Sequence, residues 1–130
     1  MIIVKCCNVL FANLYLPCYS NDEAYTTTLC DIFAIVSDAM DKNPCNPVVV
    51  GGDVNFHCLS AHCALTFKNW ANIHHLRHVP LSASSDTDYT YCNHRSCIDH
   101  FIVSDDVIDD VVSLNTSDRG ITYPTTYHCV

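Results

Sequence analysis

The chain has 130 residues, of which 49% are hydrophobic and 15% are charged, a balance that suits one globular domain and excludes disordered and fibrous proteins. Six Lys and Arg against 14 Asp and Glu give a formal charge of −8. A surface that tracks a polyphosphate backbone needs many cations, so any affinity for nucleic acid must be local or supplied elsewhere.

The hydrophobic pattern of the first half predicts alternating strands and helices. A Ser-x-x-Glu pattern ending at Glu23 predicts a helix N-terminus, and apolar residues at helical spacing extend that helix to about Asp41. The β-branched run Val48–Val50 predicts a central strand buried on both faces. In chain order the predicted elements are strands over 1–4 and 9–16, a helix over 22–41, a strand over 48–50 and one or two short helices around 61–70.

The second half is predicted to contain shorter β segments and turns. Asp105 and Asp106 suit a tight turn between the last two of these segments. The predicted elements are a polar loop at 82–88 and β segments at 89–91, 98–103 and 107–114.

Ten cysteines would suggest a disulfide framework in a short secreted chain. However, no convincing secretory signal precedes the first strand, and the apolar content can build a core unaided. Most of these thiols are therefore interpreted as small buried side chains in a reducing compartment. No apolar run approaches the roughly 18 residues that would span a bilayer. We expect an intracellular protein, nuclear or cytoplasmic and not secreted, with no membrane partner.

The segment Val48–Asn55 is the most informative for chemistry. A hydrophobic strand runs into Gly51 and Gly52 and then delivers a carboxylate, Asp53, and a carboxamide, Asn55. On an extended chain, residues two apart share a face, so the acid would accept a proton from water while the amide donates to a phosphate oxygen. An ordinary Gly-Gly turn also explains the segment, and taken alone it leaves both interpretations open.

Two further segments, Asn13–Pro17 and Tyr89–Ser104, lie at distances along the chain that suit a shared sheet. Together with the strand before Asp53, they resemble the endonuclease/exonuclease/phosphatase family. The Arg-Ser-x-Ile-Asp pattern at Arg95–Asp99 resembles its non-LTR retrotransposon branch, which is related to the apurinic-type endonucleases. The resemblance runs from Asn13 to about Asp118.

The resemblance implies an α/β (α+β) fold, namely the C-terminal half of a two-sheet β-sandwich flanked by helices, as in the deoxyribonuclease-like fold. Residues 1–130 would then form a single partial domain, and the family's N-terminal half, with its metal-binding Glu, would lie before Met1. The sheet face that packs on the missing half would be apolar and exposed, which predicts poor solubility, self-association through that face or pairing with another chain.

The resemblance also assigns roles to four residues. Tyr15 resembles the tyrosine that contacts the scissile phosphate, and Asp53 the aspartate that activates or orients the attacking water. Asn55 resembles the asparagine that holds that water and a phosphate oxygen. Asp99 resembles the aspartate that supports a catalytic histidine.

The segment ending in Ser117-Asp118-Arg119 departs from the family pattern, because Arg119 stands where that histidine is expected. Arginine cannot be deprotonated, but its guanidinium can still bind phosphate. Asp118 resembles the acidic residue at the metal end of the site. The resemblance thus implies a hydrolase that cleaves phosphodiester bonds, with DNA as partner and weakly bound Mg²⁺ or Mn²⁺ as cofactor, whose activity is impaired or lost.

Two alternatives remain open. The chain is either a catalytically inactive relic of a retrotransposon endonuclease or an unrelated zinc-binding or disulfide-stapled module. The nearest zinc pattern is Cys92-x-His94-x2-Cys97-x2-His100, whose members would alternate between the two faces of an extended strand. His74, His75 and His78 are expected on a helix or loop as a solvated polar face, and Phe67 and Trp70 as core side chains.

Overall fold

The structure is a computed structural model of the chain, and it describes residues 1–18, 22–55, 61–80, 89–91 and 96–111. Strands and helices alternate over most of its length. In chain order the elements are β1 (Ile2–Cys6), β2 (Val9–Tyr15), α1 (Asp22–Asp41), β3 (Val48–Asp53), α2 (Ala61–Ile73), β4 (Leu76–His78), β5 (Asp99–Ser104) and a 3-10 helix (Ile108–Asp110).

The five strands form one mixed sheet in the order β1-β2-β3-β5-β4. Strand β3 lies at the centre, as its run of valines predicts, with Val48 and Val50 buried and Val49 half-buried. It pairs in parallel with β2 and antiparallel with β5, whereas β1 with β2 and β4 with β5 are antiparallel pairs. Because parallel strands cannot be joined by a tight turn, helix α1 provides the crossover from β2 to β3.

Helix α1 has the predicted bounds, and its apolar stripe explains its orientation. Tyr25, Leu29, Phe33 and Val36 are all buried and recur at helical spacing, so one face of the helix packs against the sheet. They join the alternate residues of β2, from Leu10 onward, that point to the same face. The helix therefore covers one side of the sheet.

Helix α2 packs beside α1 in the same layer. The rings of Phe33 and Trp70 stack with a centroid distance of 4.1 Å and an interplanar angle of 4°. The indole N–H of Trp70 donates to the Ser37 hydroxyl at 3.0 Å, so the buried polar atom of the tryptophan is satisfied. The prediction that Phe67 and Trp70 belong to the core is confirmed.

The other side of the sheet carries apolar side chains that are exposed, as the alternation along each strand requires. We call this side the open face. Its exposed large side chains are those of Ile2, Val4, Phe11, Tyr15 and Phe101. The predicted α/β class is confirmed by this arrangement of one mixed sheet with helices on one side.

Three predictions about local structure were wrong in part. Over 107–111 a turn and the 3-10 helix replace the predicted strand, because the chain closes on itself through bonds such as Asp110 N to Val107 O at 3.1 Å. The segment 89–91 contributes only an isolated bridge between Tyr91 and Ser96. His78 lies in β4, not on a helix or loop. Residues 82–88 and 112–114 lie outside the described part of the chain.

The tight turn predicted at Asp105 and Asp106 is present directly after β5. Helix α2 occupies the described part of the region where one or two helices were predicted. Among the described residues, no helix combines the length and the apolar character needed to cross a bilayer. The prediction that most thiols are buried is wrong for the cysteines whose burial the structure describes, because five of them are exposed and one is half-buried, namely Cys6, Cys7, Cys18, Cys30, Cys45 and Cys97.

Candidate active site at one end of the sheet

Three of the predicted site residues lie side by side where adjacent strands end. Tyr15 of β2 is the register partner of Asp53 of β3, and Asp53 is in turn the partner of Asp99 of β5. Register partners on neighbouring strands project to the same face, so all three belong to the open face. Residues far apart in the sequence are thus brought into one row.

The two glycines before Asp53 allow neighbouring groups to approach β3 closely. A Cβ at Gly52, where φ is +135°, would lie 2.1 Å from the Leu14 carbonyl oxygen, so no side chain fits there. A Cβ at Gly51 would meet the Phe101 ring at 2.4 Å. The ring of Phe101 therefore lies across Gly51, in the row next to the candidate site, and forms an apolar floor beside the carboxylates.

Asn55 does not continue the extended chain that was assumed from the sequence. Its φ is +52°, a left-handed conformation that asparagine tolerates better than most residues. Its backbone N–H donates to the Asp53 carboxylate at 2.9 Å, and its carboxamide N–H donates to the Leu16 carbonyl at 2.7 Å. Asn55 thus joins the ends of β2 and β3 and fixes the Asp53 side chain.

Backbone hydrogen bonds hold this end of the sheet together beyond the last paired residues. Leu16 N–H donates to the Asp53 carbonyl at 2.9 Å, and Val54 N–H donates to the Ile98 carbonyl at 2.9 Å. The Tyr25 hydroxyl of α1 donates to the Val54 carbonyl, and this tyrosine is buried. Helix α1 therefore anchors Val54, which directly follows the central strand.

Thr90 is a contributor that the sequence did not reveal. Its hydroxyl oxygen accepts hydrogen bonds from the backbone N–H groups of Ile98 and Asp99, both at 3.0 Å, and the residue is 6% exposed. These bonds fix the start of β5 and with it the position of Asp99. Only its place in the segment 89–91, close before Asp99, could have pointed to Thr90.

The carboxylates of Asp53 and Asp99 lie on directly opposed residues of an antiparallel pair. Side chains in that relation have Cβ atoms about 5 Å apart, and like charges there repel. A divalent cation would relieve this repulsion, and carboxylate oxygens are the donors that Mg²⁺ prefers. The donor chemistry therefore fits a hard metal ion, although the described residues include no group of three or more His, Cys, Asp or Glu that could hold one.

The remaining predicted site residues, Asp118 and Arg119, lie outside the described residues. So do Cys92 and His94 of the zinc pattern. Of its other members, Cys97 donates from its thiol to the Asp99 carbonyl at 3.5 Å, whereas His100 is buried on the helix-covered side of the sheet, with its ring centroid 6.2 Å from that of Phe67.

His100 contacts His78 of the edge strand β4. The Nε2 atom of His78 and the Nδ1 atom of His100 are 3.2 Å apart. Partial burial of His78, together with the nearby charges of His100 and Lys68, lowers the pKa of His78 from its ordinary value of 6.5. The pair lies on the opposite side of the sheet from Asp99, so it belongs to the packing between the sheet and α2.

A cavity of about 420 Å³ opens at the opposite end of the sheet, and its lining includes Val48, Ser104 and His74. Of the predicted site residues that the structure describes, none lines this cavity. Val48, which lines this cavity, is the first residue of β3, and Asp53 is the last residue of the same strand. At the candidate site, Tyr15 is 67% exposed, so among the described residues its phenol is open to solvent.

Fold and site together define an α/β protein that presents carboxylates, an amide and a phenol at the ends of adjacent central strands. The model of the Endonuclease/Exonuclease/phosphatase family matches residues 4–119. The chain belongs to this family, whose general chemistry is the hydrolysis of phosphate esters and whose members generally depend on divalent metal ions. Searches of the curated proteins and of the solved structures gave no match.

Proposed function

We propose that the chain is a metal-dependent endonuclease domain that hydrolyses phosphodiester bonds in DNA, of the non-LTR retrotransposon or apurinic type. The observation that carries this proposal is the single row formed by Tyr15, Asp53 and Asp99 across three adjacent strands. A polar row on an open surface, with an apolar ring beside it, suits a sugar-phosphate backbone lying across the strand ends.

Asp53 is the proposed base that accepts a proton from the attacking water. Its carboxylate is held by the Asn55 backbone N–H, which fixes one oxygen. The Asn55 carboxamide carries two N–H groups, one of which donates to Leu16, so the second is assigned to a phosphate oxygen. The exposed Tyr15 hydroxyl is assigned to the same phosphate, and the Asp99 carboxylate is assigned to hold the guanidinium of Arg119.

Asp118 is proposed as a ligand of Mg²⁺ or Mn²⁺, by family resemblance. The carboxylates of Asp53 and Asp99 add negative charge and oxygen donors of the kind that such an ion prefers. When bound, the ion would polarise a phosphoryl oxygen and neutralise developing charge. A local cation also explains how a chain of charge −8 would approach DNA.

Arg119 is proposed to bind phosphate in place of the family's histidine. Because guanidinium does not release its proton, it cannot protonate the leaving group as imidazolium does. We therefore expect weak activity compared with a histidine-bearing enzyme. The runner-up proposal is an inactive relic of a retrotransposon endonuclease, which keeps the fold and the phosphate contacts without turnover.

The test is nicking of supercoiled plasmid by the purified chain with Mg²⁺ or Mn²⁺. Asp53→Ala is expected to lower the nicking rate by about 100-fold or more, the usual range for loss of a general base. Asp31→Ala is the matched control, because Asp31 is an exposed carboxylate on α1, and it should nick like the parent chain. EDTA should abolish nicking in all active samples.

Three outcomes separate the proposals. Nicking that is lost in Asp53→Ala alone supports the endonuclease. Folded protein that does not nick under either metal supports the inactive relic. Nicking that survives in Asp53→Ala rules out Asp53 as the base.

We further propose that the open face drives self-association. Apart from Tyr15, which is assigned to the phosphate, it carries four exposed large hydrophobic side chains, and apolar surface of this kind usually marks a contact with another molecule. Strand β1 forms an edge of the same sheet, which adds unpaired backbone groups next to this face.

A further inference from the structure

The turn between β1 and β2 holds two adjacent cysteines in an unusual conformation. The turn has two residues, Cys7 and Asn8, with φ of +49° and +64°. Positive φ at both positions is typical of a type I′ hairpin, which normally selects Asn-Gly or a related pair. Cysteine at the first position is sterically disfavoured, so the turn keeps a thiol where glycine or asparagine would fit better.

The turn places both sulfur atoms on the same side of the chain. On an extended strand the side chains of neighbouring residues would point to opposite faces. Here the left-handed conformation of Cys7 brings its Sγ to 3.7 Å from the Sγ of Cys6. Two thiolates that share one tetrahedral ion at a metal–sulfur distance of about 2.3 Å lie roughly 3.8 Å apart. The sulfur atoms already have the spacing of a chelating pair.

Both thiols are free and exposed, so a ligand can reach them from solvent. The loop between α1 and β3 lies against the same hairpin. The Asn46 side chain donates to the Asn8 carbonyl, and the Lys5 ammonium donates to the Asn43 side chain at 3.3 Å. These contacts hold the hairpin in place from outside.

We propose that Cys6 and Cys7 form a dithiol site that binds one soft, thiophilic metal or metalloid ion per chain. Soft ions prefer thiolate ligands, and two thiolates in one turn bind with little loss of chain entropy. The site lies at the end of β2 opposite Tyr15, about 20 Å away at 3.3 Å per residue. It is therefore independent of the proposed hydrolysis.

The probe is phenylarsine oxide, a trivalent arsenical. One molecule condenses with two thiols: two As–S bonds form, the arsenic–oxygen bond breaks, both thiol protons leave in one water molecule, and arsenic remains trivalent. The intact chain is incubated with one equivalent, digested and mapped by mass spectrometry. We expect the phenylarsenic bridge on the peptide that carries Cys6 and Cys7, and its removal by an excess of a small dithiol.

Cys6→Ser and Cys7→Ser should each abolish the bridge on this peptide and lower the affinity of the turn for the arsenical at least tenfold. Cys45→Ser is the matched control, since Cys45 is another exposed thiol outside the turn, and it should retain the bridge. Because all three positions are exposed, circular dichroism should show folded protein for each variant. A bridge that persists in Cys6→Ser, or a folded parent chain with an unlabelled hairpin, would overturn the proposal.

Discussion

At the scale of single residues, the position of Asp99 depends on a side chain that is not itself charged. Thr90 supplies one oxygen to the backbone N–H groups of Ile98 and Asp99 at the start of β5. A buried oxygen that accepts two hydrogen bonds is costly to remove, because both donors then lose their partner away from water. Thr90 is thus a positioning residue for the candidate site.

We predict that Thr90→Val lowers the free energy of unfolding by about 1–3 kcal/mol, the cost of leaving buried donors unsatisfied. Valine keeps the shape of the threonine side chain, so the loss of stability measures the contribution of the hydroxyl oxygen. Thr90→Ser retains the hydroxyl and should recover most of the stability. Urea denaturation measures both variants, and equal stability of the Val and Ser variants would contradict the assigned hydrogen bonds.

The family resemblance was enough to single out Tyr15, Asp53 and Asp99, and the register of β2, β3 and β5 places them in one row. The sequence was not enough to predict the conformation of Asn55. The left-handed conformation of Asn55 follows from two hydrogen bonds to partners on β2 and β3, and a pattern of residue types does not encode such partners. Thr90 was missed for the same reason.

At the scale of elements, regular periodicity decided what could be predicted. Helix α1 has twenty residues with an uninterrupted apolar stripe, and its predicted bounds were right. Strand β4 has only three residues, of which Leu76 alone is buried, so it carries no detectable alternation. Apolar residues on both sides of Asp109 and Asp110 led to the prediction of a strand, whereas local hydrogen bonds close a 3-10 helix at Ile108–Asp110.

The contact between β4 and β5 makes stability sensitive to pH. Partial desolvation of the His78 ring, together with the nearby charges of His100 and Lys68, lowers the pKa of His78 below 6.5, so the unfolded chain binds a proton more readily than the folded chain. The contribution of neutral His78 to the free energy of unfolding is therefore complete above about pH 6.5. This contribution is lost as the pH falls toward the lowered pKa of His78 in the folded chain. The unfolded state gains the proton first.

We predict that His78→Gln flattens the pH dependence of unfolding between about pH 7.5 and 5.5, because glutamine keeps a polar side chain without titrating. His75→Gln is the control, since His75 is exposed and stands outside the pair with His100. Urea midpoints of the three proteins at both pH values measure the effect. A parent chain whose midpoint rises on acidification would contradict the sign of this prediction.

At the scale of the whole molecule, helices protect one side of the sheet and the open face presents apolar side chains to solvent. The charge of −8 opposes close contact between two copies, whereas burial of apolar area favours it. Added salt screens the repulsion and leaves the apolar contact in place. Self-association through this face should therefore strengthen with ionic strength.

We predict that Phe11→Gln raises the dissociation constant of the dimer by about tenfold or more, because a phenylalanine side chain contributes roughly 1.5–3 kcal/mol when fully buried. Ile35→Gln is the matched control, since Ile35 is an exposed apolar residue on α1, away from the sheet. Sedimentation velocity over a concentration series measures all three proteins. A parent chain that remains monomeric at every concentration would reject the open face as a self-association surface.

The order of strands has a consequence for how the molecule is made. Tyr15, Asp53 and Asp99 are each separated from the next by about forty residues, and β5 pairs with β3 only after the intervening chain has been placed. The hairpin, α1 and β3 involve nearer neighbours and are expected to form early. During synthesis the row of site residues stays incomplete until β5 has left the ribosome, so a nascent chain acquires its proposed chemistry at the end of folding and not along the way.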